Sequence, residues 1–496
     1  MRSPRGVPLA LSRSDVPDGP RLLVHSCEDC ACPVRHVEAE APHRTELPPG
    51  PLARAHGILS VRLDADHRAL FGPHGNGGVV VVNEAAHAVL DSFAEADHAP
   101  EPSAAGPEST ATHAVLTRLL DADLLHPSGS EPTPRFGESR QLTVWMHVTN
   151  ACNLACPYCY VRKSPEAMDT ATATETVDAI VRSAVQHGFT SLRLKYAGGE
   201  ASLNTEVLFA LHDHAVGRCE EAGLGLSAVL LSNGVAISEA LARRLVDREI
   251  AVMISLDGIG AAHDVQRPTV GGRPSFAMVE RSIERLRAAG CAPHLSITIT
   301  GRNVGGIAEV VRFALERELT FSFNFFRDNA CSAGVDGLQY EEQAMIDGVR
   351  AAFAVIEELL PPWSVLGSVL DRGQLLQPRQ KSCGVGDDYV VVNQHGQIAQ
   401  CHMELGSTLG DVRQVDPVRA VRSDSAPIRN LLVDDKAGCR DCTWRHWCSG
   451  GCAVATFAAT GRFDVRSPNC RIYKAVYPEA VRLEGLRLLS YARPTA

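Results

Sequence analysis

The run Ala151-Cys-Asn-Leu-Ala-Cys-Pro-Tyr-Cys-Tyr160 sets Cys152, Cys156 and Cys159 at a C-x3-C-x2-C spacing. Three thiolates can hold a cubane iron-sulfur cluster while leaving one iron without a protein ligand. Electron-transfer clusters of this kind are mostly held by four cysteines, so the triplet points to chemistry at the open iron. Thiolates also select zinc, and a triplet completed by a distant ligand would serve that ion, so the motif alone leaves both metals open. A second constellation is larger: Cys383, then Cys401 at the end of Gly396-Gln-Ile-Ala-Gln-Cys401, then Cys439, Cys442, Cys448, Cys452 and finally Cys470. A zinc ribbon would use only four of them. Near the start, Cys27, Cys30 and Cys32 place three thiols close together with no evident fourth ligand, where zinc or another cluster is conceivable. Cys219 and Cys291 read as small buried apolar residues, whereas Cys331 follows a strand-like run closely enough for ligand or catalytic duty.

These residues need a scaffold, and residues 141–330 supply one. Six apolar runs, 142–148, 192–196, 228–231, 251–255, 295–300 and 321–325, alternate with helical segments. Such alternation favours a parallel sheet, and the ligand-type residues fall just after the strands, where barrel active sites lie. The expectation is an α/β fold, a partial (β/α)6 TIM-like barrel. The triplet follows the first strand. Gly198-Gly199-Glu200 follows the second, where paired glycines permit close backbone approach and Glu200 can accept from a cationic amino group. Ser232-Asn233-Gly234 follows the third, Ser255 closes the fourth, and Arg267 lies in His263-Asp-Val-Gln-Arg-Pro268. Taken singly, the glycine pair, Asn233-Gly234 and Asp257-Gly258 each read as plain turns.

The remaining divisions follow composition. Residues 1–54 are rich in Pro, Arg and His without an apolar period and read as a poorly ordered leader. Residues 55–130 read as a small α+β domain: alternating runs at 58–63 and 78–82, a helix over 83–93, a loop over 96–113 and a further helix face at 114–120. Residues 331–382 form a helical bridge containing the run 341–360, residues 383–475 a cysteine-rich domain of loops around metal, and residues 476–496 a closing helix.

In combination, the triplet and the strand-end motifs resemble the radical S-adenosylmethionine (SAM) superfamily across residues 141–330. The seven later cysteines resemble its SPASM extension, and residues 55–130 resemble the winged-helix peptide-recognition module of ribosomal-peptide maturation systems. The resemblance implies S-adenosylmethionine bound at the open iron of a catalytic [4Fe-4S] cluster and cleaved reductively to a 5′-deoxyadenosyl radical. Tyr158 would lie beside the adenine, Gly198, Gly199 and Glu200 at the amino group, Ser232 and Asn233 at the ribose, and Ser255 and Arg267 at the carboxylate. It also implies two auxiliary clusters: one on Cys439, Cys442, Cys448 and Cys470, and one on Cys383, Cys401 and Cys452, whose fourth ligand is Asp387, Asp388, Cys331 or absent. His402 and Glu404 are candidates to accept a proton from substrate, with Asp387 and Asp388 as further acid-base candidates; a structural His402 is the alternative. Flavodoxin or ferredoxin is the implied reductant.

At 496 residues the chain has room for about three domains. Its formal charge of −10 disfavours nucleic acid and anionic membrane as partners. No basic-apolar export signal or membrane-length apolar run is seen, so the 16 cysteines read as metal-binding in a cytoplasmic chain rather than disulfides. The leading expectation is a peptide maturase that binds a leader by strand addition and forms a thioether or carbon-carbon crosslink. Its rivals are a maturase of a folded protein, by formylglycine-type oxidation of a sulfatase or crosslinking of a dehydrogenase subunit, and, more remotely, an iron-sulfur redox regulator.

Overall fold

A computed structural model describes residues 7–12, 15, 46–76, 78–94 and 107–492. Cys27, Cys30 and Cys32 lie outside these residues. The amino-terminal part contains β1 (Ala10–Leu11), β2 (Leu52–Arg54), β3 (Leu59–Arg62), β4 (His67–Phe71), β5 (Val79–Asn83), α1 (Glu84–Asp91), α2 (Pro107–Asp121) and β6 (Leu125–Pro127). Strands β1, β5, β4 and β3 make an antiparallel sheet in that order, and β2 pairs with β6. Three details differ from the expectation. Strand β4 is new: its run lacks β-branched residues, and it is brought back onto β3 by a turn in which the Asp64 carboxylate accepts from the backbone of Asp66 and His67. Helix α2 starts at Pro107, inside the expected loop, because proline's fixed φ suits a first helical position. Finally, β1 and β2 fall within the expected leader. Leu11 is buried, and Asn83 ties this strand down by exchanging hydrogen bonds with Leu9.

The central part holds β7 (Gln141–Thr149), α3 (Thr170–Gln186), β8 (Ser191–Gly198), α4 (Thr205–Ala222), β9 (Gly225–Ser232), α5 (Glu239–Val246), β10 (Ile250–Ser255), α6 (Ala261–Gln266), α7 (Phe276–Ala288), β11 (His294–Ile299), α8 (Ile307–Glu316) and β12 (Phe321–Phe325). The six strands are parallel and lie in sequence order. Alternation sorts their side chains. Leu142, Val144, Met146 and Val148 of β7, with Leu192, Leu194 and Tyr196 of β8, join the large core that includes α3 and α4. Trp145 and Ala197 point the other way, into the lumen, and pack with Tyr389, Val391, Cys383 and Cys401.

The carboxy-terminal part contains α9 (Glu342–Glu358), β13 (Tyr389–Val392), β14 (Gln397–Ala399), β15 (Thr408–Asp411), α10 (Pro417–Val421), α11 (Arg445–Cys448), α12 (Ala453–Thr460) and α13 (Cys470–Tyr491). The cysteine-rich segment is not loops alone. Its buried run Tyr389-Val-Val-Val392 pairs in parallel with β7, and β14 and β15 follow antiparallel, giving a mixed nine-stranded sheet. The bridge is helical only in α9. Beyond it the irregular backbone is satisfied by side chains, as where buried Arg379 donates to the carbonyls of Ser382, Arg372 and Trp447. Helix α13 begins at Cys470, earlier than residue 476, and docks on the small sheet. A Cβ on Gly485 would stand 2.6 Å from that of Ala69, so only glycine allows this approach. Trp447 donates to the Pro73 carbonyl at 2.9 Å and meets Phe71 edge-on, which fixes the small sheet against the cysteine-rich segment. Among the described residues no helix is long and apolar enough to cross a membrane.

Candidate active site

Strand β7 delivers the chain into the loop that carries Cys152, Cys156 and Cys159, and β8 clamps that loop. The Gly199 and Glu200 amides donate to the carbonyls of Thr149 and Ala151 at 2.7 and 2.8 Å. An added Cβ would lie 2.3 Å from the Thr149 oxygen at Gly198 and 2.4 Å from the Ala151 oxygen at Gly199. The glycine pair therefore serves a close approach, here to the backbone of the cysteine loop. Glu200 is buried and already engaged: its carboxylate accepts from the Ser202 amide at 3.0 Å, the Ser232 hydroxyl at 2.9 Å and the Asn233 amide at 2.6 Å. Asn233 in turn donates to Asn153 at 2.7 Å and to the Cys152 sulfur at 3.7 Å. These four strand-end positions thus form one bonded unit with the first cysteine.

On the other side, the Tyr158 hydroxyl, the Arg267 guanidinium and the Asp257 carboxylate form a buried triad. Asp257 also accepts from the Thr298 amide at 2.7 Å, and its carbonyl accepts from Asn303. Arg267 thus has a carboxylate partner within the protein, while its buried Nε has no protein hydrogen-bond partner. Burial pushes the Cys156 thiol up to about 11, with Arg267 opposing and Cys159 adding to the rise. Lys163 donates to the Cys159 sulfur at 2.8 Å. Ser255 is the half-buried last residue of β10, in register with Ser296.

The later cysteines fall into two groups. Burial raises the Cys448 thiol to about 12, and Cys439, Cys442 and Cys470 push the same way. Burial raises Cys401 to about 12 as well, with Cys452 and Cys383 as its thiol neighbours. Cys452 behaves oppositely: burial would raise it, but Arg327 and Arg372 hold it below its ordinary value. Among the described residues no three His, Cys, Asp or Glu side chains converge as a site for one metal ion. Cys331 is exposed and donates to the Tyr160 carbonyl, beside the first cysteine loop. Cys219 is buried and Cys291 half-buried.

Of the acid-base candidates, His402 is buried, stacked on Trp145 with ring centroids 4.5 Å apart and hydrogen-bonded through Nδ1 to the Tyr389 hydroxyl at 2.9 Å. Burial, then the charges of Arg372, Arg327 and Lys195, keep it neutral. Glu404 is exposed. Asp387 turns to Arg422 at 3.6 Å and Lys381 at 4.0 Å, and Asp388 is buried against Gly384. Sequence reasoning missed Asp257, His147, Trp145 and Lys195. His147 is buried, bonded to Asn150 at 2.7 Å and held by burial at about 4, with Nδ1 lacking a protein partner. The available signal was polarity at every second position of β7 and β8, Thr143, Trp145, His147 and Arg193, Lys195, unusual in strands covered on both faces.

Three comparisons bear on this geometry. The family model of the Radical SAM superfamily matches residues 146–314. The mycofactocin maturase of Mycobacterium ulcerans is 26% identical over 65% of this chain and 86% of its own length. A cysteine-type anaerobic sulfatase-maturating enzyme of Clostridium perfringens is 20% identical over 61% of this chain and 86% of its own. Among solved structures, native anSMEcpe with bound AdoMet and Cp18Cys peptide superposes with a TM-score of 0.57, at 18% identity, over 70% of this chain and 99% of that one, which shows a shared fold.

Proposed function

Starting from a chain that is a radical SAM superfamily enzyme, we propose that it matures a peptide, recognising it through the small amino-terminal sheet and oxidising it in the barrel lumen. Enzymes of this superfamily use S-adenosylmethionine with a [4Fe-4S] cluster, and the residues present fit both: three thiols on one clamped loop, and an unsatisfied Arg267 Nε next to Cys156. When bound, that pair supplies a hydrogen-abstracting 5′-deoxyadenosyl radical.

The protein's own residues then do the following. Cys152, Cys156 and Cys159 hold the cluster. Tyr158, Ser232, Asn233, Ser255 and Arg267 line the place of S-adenosylmethionine. Gly198, Gly199 and Glu200 act by fixing the loop and Asn233. Cys383, Cys401 and Cys452 hold one auxiliary cluster, and Cys439, Cys442, Cys448 and Cys470 another, as a SPASM domain does. His402, neutral and bonded to Tyr389, forms part of the lumen wall.

The observation that carries this reading is the pairing of β13 with β7, which sets Cys383 and Cys401 against Trp145 and Ala197 on the lumen face. The two maturases among the relatives support a peptide or protein substrate. Strand β3 is a sheet edge with no strand beyond it among the described residues, as a winged-helix-like module binding by strand addition requires. The test is anaerobic reconstitution, then S-adenosylmethionine, dithionite and short peptides encoded near the gene, read by mass spectrometry. A peptide losing two hydrogens, with 5′-deoxyadenosine formed in step, is the expected result. Processing of a folded sulfatase or dehydrogenase subunit instead would replace the proposal with its rival.

A further inference from the structure

Lys436 is 2% exposed, a buried cation inside the cysteine-rich segment. Its ammonium donates to the Ser449 carbonyl at 3.3 Å, and no carboxylate among the described residues pairs with it. Cysteine loops hold it from both sides. The Cys439 amide donates to the Lys436 carbonyl at 3.0 Å, so the lysine opens the turn that delivers Cys439 and then Cys442. The run from Cys448 to Cys452 passes over the ammonium, where a Cβ on Gly450 would stand 2.8 Å from Nζ, so only bare backbone lets the lysine lie this close. Ser449, Gly450 and Gly451 all take left-handed φ, 49°, 73° and 70°, and bend this run sharply. The two ends of the bend belong to different thiol groups: Cys448 goes with Cys439, Cys442 and Cys470, and Cys452 with Cys401 and Cys383. Burial lowers the Lys436 ammonium, while Cys439, Cys383, Cys448 and Cys452, two from each group, oppose the drop. A buried cation persists only where negative charge answers it. With no carboxylate beside Lys436, that charge comes from the thiolates, which form when the cysteines take up metal.

We propose that Lys436 is a counter-charge shared by the two auxiliary clusters and raises the reduction potential of both. The inference rests on the reading of the seven later cysteines as two cluster sites, and the donor set fits, since all seven are thiols. Reduction adds an electron to a cluster already surrounded by thiolates, and a fixed positive charge beside it favours the reduced form. A substrate radical that is oxidised gives up one electron, so the raised potential makes these clusters better acceptors for it.

Anaerobic redox titration of the reconstituted full-length protein, followed by EPR, tests this. The signal that S-adenosylmethionine alters marks the catalytic cluster and serves as the internal control. Lys436→Gln keeps a donor toward the Ser449 carbonyl and loses the charge. It should make reduction of each auxiliary cluster about tenfold less favourable, a fall of about 59 mV for one electron, with the catalytic potential unmoved; Lys436→Arg should retain the wild-type values. Unchanged auxiliary potentials, a shift in one auxiliary cluster alone, or an equal shift in all three clusters overturns the proposal. Lys436→Met is a second neutral variant should Lys436→Gln fail to take up iron. If neither neutral variant is loaded, the lysine serves cluster assembly and the tuning is overturned. Wild-type protein that carries iron for one cluster alone is a different failure, because it removes the auxiliary sites themselves before any variant is made.

Discussion

Replacing Gly199 by alanine tests how the cysteine loop is held. The new Cβ would lie 2.4 Å from the Ala151 oxygen and 2.5 Å from the Asn150 oxygen, and these are backbone atoms that cannot swing away. To open the first contact even to 3.0 Å, the carbonyl must retreat by about 0.6 Å. That movement strains the two bonds joining β8 to the loop, Gly199 to Thr149 and Glu200 to Ala151. Each is worth about 1 kcal/mol, and overpacking adds about 1–3, so the variant should lose roughly 3 kcal/mol. Because Ala151 precedes Cys152, the displacement reaches a thiol directly. The assay is thermal unfolding together with iron content and the cluster's EPR signal after anaerobic reconstitution. Gly217→Ala is the control, since a Cβ there meets nothing within 4 Å and alanine suits a helix interior. Gly199→Ala with wild-type melting temperature and full iron would falsify the clamp.

Other expectations follow from the buried polar groups. Asp257→Asn leaves Arg267 charged, buried and without its carboxylate, and should cost about 3–5 kcal/mol in guanidinium unfolding; a loss under about 1 kcal/mol would show that the triad is not an ion pair. His263 is fully buried and held near 3 by burial and then by Arg267, below its unfolded value of about 6.5. The unfolded chain therefore binds the proton more tightly: this stabilisation is complete above about pH 6.5 and is lost as pH falls toward 3, by about 2 kcal/mol at pH 5. His263→Gln should flatten the difference between unfolding curves at pH 7 and pH 5, and an unchanged difference counts against the assignment. Asp15→Ala removes the 2.7 Å pair with Arg118 that follows β1. Being partly exposed, the pair should change global stability by less than about 1 kcal/mol, while amide exchange of Leu9 and Asn83 should quicken; unchanged exchange would mean β1 is held by its pairing with β5 alone.

What the sequence disclosed depended on whether the signal was local. All six barrel strands lie where apolar runs alternate with helical stretches, because a strand buried on both faces leaves no ambiguity in its own residues. Strand β4 was missed because the hairpin turn at Asp64, not propensity, creates it. Strand β13 was hidden among cysteine and glycine punctuation, and its partner β7 lies more than two hundred residues away in the chain. Glu200 was identified as a ligand-facing acid, yet its three donors come from Ser202, Ser232 and Asn233, a convergence that only the closed sheet produces. Asp257 looked like half of an Asp-Gly turn. The chain only bends at Gly258, and Asp257 instead meets Tyr158 and Arg267, brought to it from elsewhere in the chain.

The register of β13 on β7 decides what the lumen can do. Strand β7 releases the Cys152 loop at its carboxy-terminal end, whereas the hairpin β13–β14 returns Cys401 toward the opposite end. Ala399 lies opposite Val391, Val391 opposite Trp145, and Tyr389 opposite Thr143. From Thr143 to Thr149 a strand covers roughly 20 Å, so the two thiol systems bound the lumen at its ends instead of crowding one mouth. Trp145 and Lys195 occupy its middle, and His402 stacks there with Tyr160, the residue after Cys159, 5.5 Å from its ring. If β13 were shifted by one residue against β7, Tyr389 and Val391 would both turn to the opposite face and His402 would lose both its hydrogen bond and its stacking partner. The run of three valines after Tyr389 is buried on both faces and by itself tolerates either register, so the specification falls to polar pairs such as Tyr389 with His402. Tyr389→Phe should therefore loosen the register of the cysteine-rich segment more than it lowers stability, read as faster amide exchange of Val391 and Ala399 with a melting temperature close to wild type.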